Sequence, residues 1–81
     1  MDRAIFDLDA SVEATSLYII LCSLMDVGQA PTVDHARARW NGTEQSLFAA
    51  AEELVRRGVL NVELPIRADM HLHPTMRDQW C

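Results

Sequence analysis

Lysine is absent from this 81-residue sequence, and all seven basic residues are arginines. Twelve acidic residues outnumber them, so the formal net charge is -5. Proteins bind the phosphates of nucleic acids through a surplus of basic side chains on one face, and this charge balance disfavours such a partner. The first 13 residues hold four of the acidic residues and one arginine. Composition therefore still allows a basic patch in the rest of the chain.

Cysteine, glycine and long apolar runs are also scarce. Two cysteines, one of them the last residue, supply neither a disulfide framework nor the spacing of a zinc site. Three glycines, each at a predicted boundary or turn, exclude a glycine-rich phosphate loop. The longest apolar run, residues 17–22, is too short to cross a membrane, and the acidic N-terminus does not resemble a signal peptide. The sequence predicts a reduced cytoplasmic protein with no membrane partner.

Side chains suited to catalysis or metal binding are few. No nucleophile has a recognisable partner base, so we expect neither enzymatic activity nor a cofactor. Asp69, His71 and His73 alternate along a predicted strand and are a minor candidate for a metal site. The alternative is an exposed polar face, with His73 opposite Glu63. We favour that alternative because an isolated pair of strands offers no further side chains to orient the ligands.

Three helices are predicted from caps, stops and apolar periodicity. The third, within residues 43–60, carries an apolar residue at each i, i+3, i+4, i+7 and i+8 position, which is typical of a helix with one buried face. Asn41 and Gly42 form the turn before it. Hydroxyl side chains cap the three helices and glycines end the first and third. These residues are Ser11 and Gly28 for the first helix, Thr32 for the second, and Thr43 and Gly58 for the third.

Apolar residues alternate after the third helix, which predicts a β-hairpin at residues 59–66 and 70–73. A three-residue loop would set Ile66 opposite Met70 and Leu64 opposite Leu72, keeping one face apolar. Residues 31–33 are a candidate third strand.

The passage Glu-Leu-Val-Arg-Arg-Gly-Val-Leu, followed by Leu-His-Pro-Thr, resembles the helix-to-wing segment of small bacterial or phage winged-helix regulators. The likeness covers residues 11–75. It implies a mainly α fold with a small β-hairpin, a winged helix-turn-helix of three helices and a two- or three-stranded wing. Residues 1–10 are then an extended acidic N-terminal arm, and residues 76–81 are a C-terminal tail whose Trp80 packs back on the core.

The resemblance implies a DNA-binding transcriptional regulator that contacts double-stranded DNA with the outer face of the third helix. Gln and Ser near the start of that helix suit base edges, and arginines of the second helix and the wing could reach phosphates. The candidate DNA-binding residues are Arg37, Arg39, Gln45, Ser46, Arg56 and Arg67.

Acidic neighbours weaken this prediction. Glu52–Arg56 and Glu53–Arg57 are both i, i+4 pairs in the favourable orientation, so these arginines are expected to be paired within the helix. Glu44 lies where a phosphate would approach. Few arginines are then left in one copy, so DNA binding requires a dimer.

The alternative function is an acidic protein-binding module, or a phage-type inhibitor of the anti-CRISPR kind. It would act on a basic nucleic-acid-handling protein without binding DNA. The first helix also carries a second apolar strip, which either Ile5, Phe6 and Leu8 fold back to cover or a homodimer buries. The candidate protein-interface residues are Asp7, Asp9, Val12, Glu13, Ile19 and Cys22.

Overall fold

The computed structural model describes residues 3–63, 66–67 and 69–80, and of Arg77 it describes the backbone alone. The chain is mainly helical in these ranges, and none of their helices is long and apolar enough to cross a membrane. In chain order the elements are the 3-10 helix η1 (Arg3–Asp7), the α-helices α1 (Val12–Asp26), α2 (Val33–Arg39) and α3 (Glu44–Arg56), and the 3-10 helix η2 (Arg77–Gln79).

Each α-helix begins at a hydroxyl side chain that accepts a hydrogen bond from a backbone N–H in the first turn. These bonds satisfy donors that the helix itself leaves without partners. The three predicted helices and their caps are therefore confirmed, with helical segments slightly shorter than predicted. The capping pairs are Ser11 with Ala14, Thr32 with His35, and Thr43 with Ser46.

The hydrophobic core lies mainly between α1 and α3. Burial of one stripe of each helix removes apolar surface from water, which is the main force that holds the two helices together. Residues outside the helices complete the core, and no polar or charged residue of the described ranges is buried. The largest fully buried side chains are Ile5, Leu17, Leu21, Leu24, Val33, Leu47, Leu54, Val59, Leu60 and Leu72.

The predicted β-hairpin is wrong. The described residues contain no β-strand, so the winged helix-turn-helix fold with its β-wing is not formed there. Two isolated antiparallel bridges occupy this region instead, joining Thr32 to His71 and Leu60 to Pro74. The candidate third strand at residues 31–33 is thus reduced to a single bridge.

The alternation of apolar residues fails as a strand signal here because it fixes which side chains face the core, not which backbone groups pair. Ile66 and Met70, the predicted cross-strand pair, flank a turn in which the Met70 N–H donates to the Arg67 carbonyl over 3.2 Å. Pro74 has no N–H with which to extend the ladder beyond its bridge. Leu64, and with it the predicted Leu64–Leu72 pair, lies outside the described residues.

The two ends of the chain pack on the helices. The extended conformation predicted for the N-terminal arm is wrong, because η1 turns there and buries Ile5 completely. At the other end the ring of Trp80 packs edge-on against Tyr18, with centroids 5.4 Å apart. The Trp80 indole N–H also donates to the Thr75 hydroxyl over 3.2 Å. The predicted packing of Trp80 on the core is confirmed.

Candidate interaction surfaces

Residues 3–9 form a short surface segment with two aspartates, Asp7 and Asp9, and one arginine, Arg3, called the acidic turn below. Ile5 anchors it in the core, while Phe6 beside it is 59% exposed. Asp7 and Asp9 are exposed as well. An aromatic ring and two carboxylates are therefore presented to solvent by a segment that is itself fastened to the protein.

The backbone of the acidic turn is held by the end of α3. The guanidinium of Arg57 donates to the Leu8 carbonyl over 3.1 Å and to the Asp9 carbonyl over 3.3 Å. Asp9 adopts a left-handed conformation with φ 61°, which aspartate tolerates better than most residues. Fixed backbone carbonyls and a buried anchor make this turn a preorganised surface.

Glu53 fastens the start of α1 to α3. Its Oε2 accepts from the Ser11 backbone N–H at 2.8 Å, and its Oε1 accepts from the Ser11 hydroxyl at 2.7 Å. The hydrogen bonds from Ser11 hold the pKa of the Glu53 carboxyl below its ordinary value, and the charges of Arg57 and Arg56 lower it further. The sequence placed Glu53 in a pair within α3 and missed these contacts with a residue 42 positions earlier in the chain.

Replacing Glu53 with glutamine should destabilise the protein by about 1 kcal/mol at neutral pH, because a charged acceptor of two hydrogen bonds is lost. The folded-state pKa of Glu53 is lowered, so its contribution is complete above the ordinary glutamate pKa and disappears as pH falls through the folded-state value. Urea unfolding of both proteins over an acidic pH series measures the difference, which should shrink towards zero in acid.

Glu52→Gln is the matched control, since the Glu52 side chain has no hydrogen bond or ion pair within the described ranges. It should change stability little at any pH. If the loss of stability caused by Glu53→Gln stayed constant down to low pH, the role assigned to the Glu53 charge would be wrong.

The outer face of α1 is open. Val12 is 79% and Ile19 38% exposed, whereas Cys22, predicted to share their strip, is buried. Burial raises the pKa of the Cys22 thiol above its ordinary value, against a smaller lowering by its hydrogen bond with Tyr18. The acidic turn places Ile5 in the core and leaves Val12 and Ile19 uncovered, so the predicted strip is only partly covered from within the chain.

A groove of about 300 Å³ runs beside this face, between α1 and the turn that joins α2 to α3. Trp40 forms part of its wall and is held by a 3.0 Å hydrogen bond from its indole N–H to the Ser46 hydroxyl. That hydroxyl donates in turn to the Thr43 carbonyl over 2.7 Å. The groove therefore has a fixed wall, and its lining includes Val12, Glu13, Ser16, Ile20, Arg39 and Trp40.

The two candidate phosphate-binding arginines of α2 have partners within the protein. Arg37 forms ion pairs with Asp34, at 2.9 Å, and with Glu44. Arg39 donates from Nη1 to the Ser23 hydroxyl over 2.7 Å, although its side chain stays exposed. Two carboxylates neutralise Arg37, so it offers a phosphate little net charge.

The other four candidate DNA-binding residues differ in whether their side chains are used within the fold or exposed. The Ser46 hydroxyl is used in the cap of α3 and the wall of the groove, whereas Gln45, Arg56 and Arg67 are exposed. The predicted Glu52–Arg56 ion pair is not formed between these two described residues. Three of the six candidate side chains, those of Gln45, Arg56 and Arg67, are therefore exposed, and no structural contact is assigned to them.

The candidate metal ligands do not come together. His71 belongs to an isolated bridge, and the His73 ring nitrogen lies 3.4 Å from the Pro74 carbonyl. Among the residues that the structure describes, which include Asp69, no three His, Cys, Asp or Glu side chains are grouped closely enough to hold a metal ion.

The exposure of Phe6 could not be predicted from the sequence. Together with its apolar neighbours, Phe6 was expected to cover the apolar strip of the first helix. The contacts of Arg57 and Glu53 with the N-terminal segment were equally hidden, since they depend on packing. No family model, curated protein or solved structure matches this chain. The resemblance to winged-helix regulators therefore stays a prediction for the sequence, and the hairpin part of it is wrong.

Proposed function

We propose that this chain is a small, non-enzymatic protein-binding module that recognises a basic protein through its acidic turn. The observation that carries the proposal is the 59% exposure of Phe6 between a fully buried Ile5 and the exposed Asp7. Aromatic side chains are enriched in protein interfaces, whose rims are polar. The net charge of -5 favours association with a positively charged surface.

The contacts of Arg57 support the same proposal. A segment that is already fixed loses little conformational entropy on binding, and more of the contact energy then appears as affinity. Proteins that handle nucleic acids carry basic surfaces of the kind this turn complements, and the chain would act on them as an inhibitor without binding DNA. The buried thiol of Cys22 fits a reducing cytoplasm.

DNA binding as a transcriptional regulator is the second candidate function. Its support is the exposure of Gln45 and Arg56 on α3 and of Arg67 in the segment after it. It ranks below protein binding because Arg37 is neutralised by Asp34 and Glu44. A well-bound DNA protein makes roughly 6–10 phosphate contacts, so this candidate depends on a dimer that doubles the exposed arginines of one copy.

A panel of purified basic nucleic-acid-binding domains, together with a pool of labelled duplex DNA, tests the two candidates side by side. We expect binding to at least one protein of the panel, with an affinity that falls as salt increases. Phe6→Ala should weaken that binding by about tenfold or more. Asp7→Asn/Asp9→Asn should weaken it and reduce the salt dependence. Biolayer interferometry measures all of these.

The matched control is Asp26→Asn/Glu63→Gln, which removes two exposed charges away from the acidic turn. It should lower affinity less than the Asp7/Asp9 variant does. Binding to the duplex pool alone, with a steep salt dependence, would overturn the protein-binding proposal and favour the regulator. If Phe6→Ala left the binding to the panel proteins unchanged, the acidic turn would not be the contact surface.

A further inference from the structure

The outer face of α1 has a pattern that is complementary to itself. Val12, Ser16, Ile19 and Ser23 follow one another at intervals of four, three and four residues, which places them in one stripe along the helix. The two apolar members are exposed, and the two serines are half-buried. Large and small side chains therefore alternate along this face, which is open at Val12, partly exposed at Ile19 and contacted by Arg39 at Ser23.

The α1 faces of two copies fit together when the two α1 helices run in opposite directions. In a two-fold pairing each contact occurs twice, because residue i of one copy meets residue j of the other and the reverse. With the axis near the middle of the stripe, Val12 of one copy lies against Ser23 of the second copy, and Ser16 lies against Ile19. Ile19 then packs over Ser16, and Val12 packs against Ser23 and the Arg39 side chain that is hydrogen-bonded to it.

The charges beside the stripe select the antiparallel arrangement. Glu13 is exposed at the start of α1, and Arg39 is held near its other end by the 2.7 Å hydrogen bond to Ser23. Both residues line the groove on the same side of the helix. Antiparallel two-fold pairing brings Glu13 of each copy level with Arg39 of the other on the same side of the interface. Parallel two-fold pairing would place the two grooves on opposite sides, so Glu13 would not face Arg39.

We propose that a second copy of this chain covers the α1 face, through an antiparallel two-fold pairing in which Glu13 and Arg39 of opposite copies face each other. The pairing buries Val12 and Ile19 and closes the groove beside Trp40. It uses a different surface from the acidic turn, so its test is independent of the proposed function.

Sedimentation equilibrium in reducing buffer, from micromolar to near-millimolar protein, should show a monomer–dimer equilibrium. Ile19→Glu should weaken the dimer by about a hundredfold or more, because it places an unpaired charge at the centre of the interface. The control is Met76→Glu, at another exposed apolar residue, which should leave the equilibrium unchanged. Thermal unfolding followed by circular dichroism checks that each variant is folded.

A charge exchange tests the direction of pairing. Glu13→Arg and Arg39→Glu should each weaken the dimer by about tenfold, and the double variant should recover most of the loss because the pair is restored with its charges reversed. A chain that stays monomeric over the whole range, or a dimer that is as sensitive to Met76→Glu as to Ile19→Glu, would overturn the proposal. If the double variant lost as much dimer affinity as the two single variants together, the antiparallel arrangement would be wrong.

Discussion

Replacing Gly58 with alanine is expected to lower the free energy of unfolding by about 3 kcal/mol or more. Gly58 has φ +77°, a left-handed conformation that costs alanine about 1–2 kcal/mol. An added Cβ would also lie 2.3 Å from the backbone carbonyl oxygen of Gln79, so the C-terminal segment would have to move. The loss is a large part of the roughly 4–12 kcal/mol typical of a chain this size.

Gly28→Ala separates the two causes. Gly28 has nearly the same φ, +79°, but a Cβ there would meet nothing within 4 Å. Its substitution should cost only the conformational part, about 1–2 kcal/mol. Urea unfolding measures both variants, and near-ultraviolet circular dichroism reports whether Trp80 has left Tyr18. Equal losses at the two glycines would show that the approach of the C-terminal segment to Gly58 does not matter.

Replacing Ile5 with alanine is expected to destabilise the protein by about 2–4 kcal/mol, although Ile5 is so close to the N-terminus. Its side chain is fully buried in the common core, so the substitution leaves a cavity as well as losing burial. Chemical denaturation at one protein concentration measures the change.

Phe6→Ala is the matched comparison, because Phe6 is the next residue and is 59% exposed. Despite the larger side chain, its loss should cost less than about 1 kcal/mol of stability. The opposite order, with Phe6→Ala the more damaging variant, would mean that the acidic turn is anchored by the other side chain. The proposed role of Phe6 in binding would then lose its basis.

The segment after α3 shows how an apolar alternation can support a wrong structure. Leu60 and Leu72 face the core as the alternation predicts, but Val59, next to Leu60, is fully buried as well. Their backbone groups, however, take partners in different parts of the chain. Leu72 donates to the Pro31 carbonyl over 2.7 Å, before α2, while Leu60 bridges to Pro74. A hairpin needs consecutive pairs with one neighbouring strand, and periodicity carries no information about that choice.

The same distinction, between a local sequence pattern and the choice of distant partners, applies to the candidate sites. Exposure of Gln45 and Arg56 follows from their positions on an amphipathic helix and could be predicted. The pairing of Arg37 with Glu44 could not, because the two residues belong to different helices. The exposure of Val12 and Ile19 was left open, since the sequence allowed the N-terminal segment to cover this strip or a homodimer to bury it.

The sequence by itself determined the three helices, their hydroxyl caps and their buried stripes. These features depend on residues within a few positions of each other, such as Thr43 and Ser46, and local geometry is the same in most contexts. Only the tertiary structure decided that Glu53 binds Ser11, that Arg57 holds the acidic turn and that the end of the chain passes against Gly58. Segments far apart in the chain meet according to how the core packs, and many pairings satisfy one pattern of polar and apolar residues.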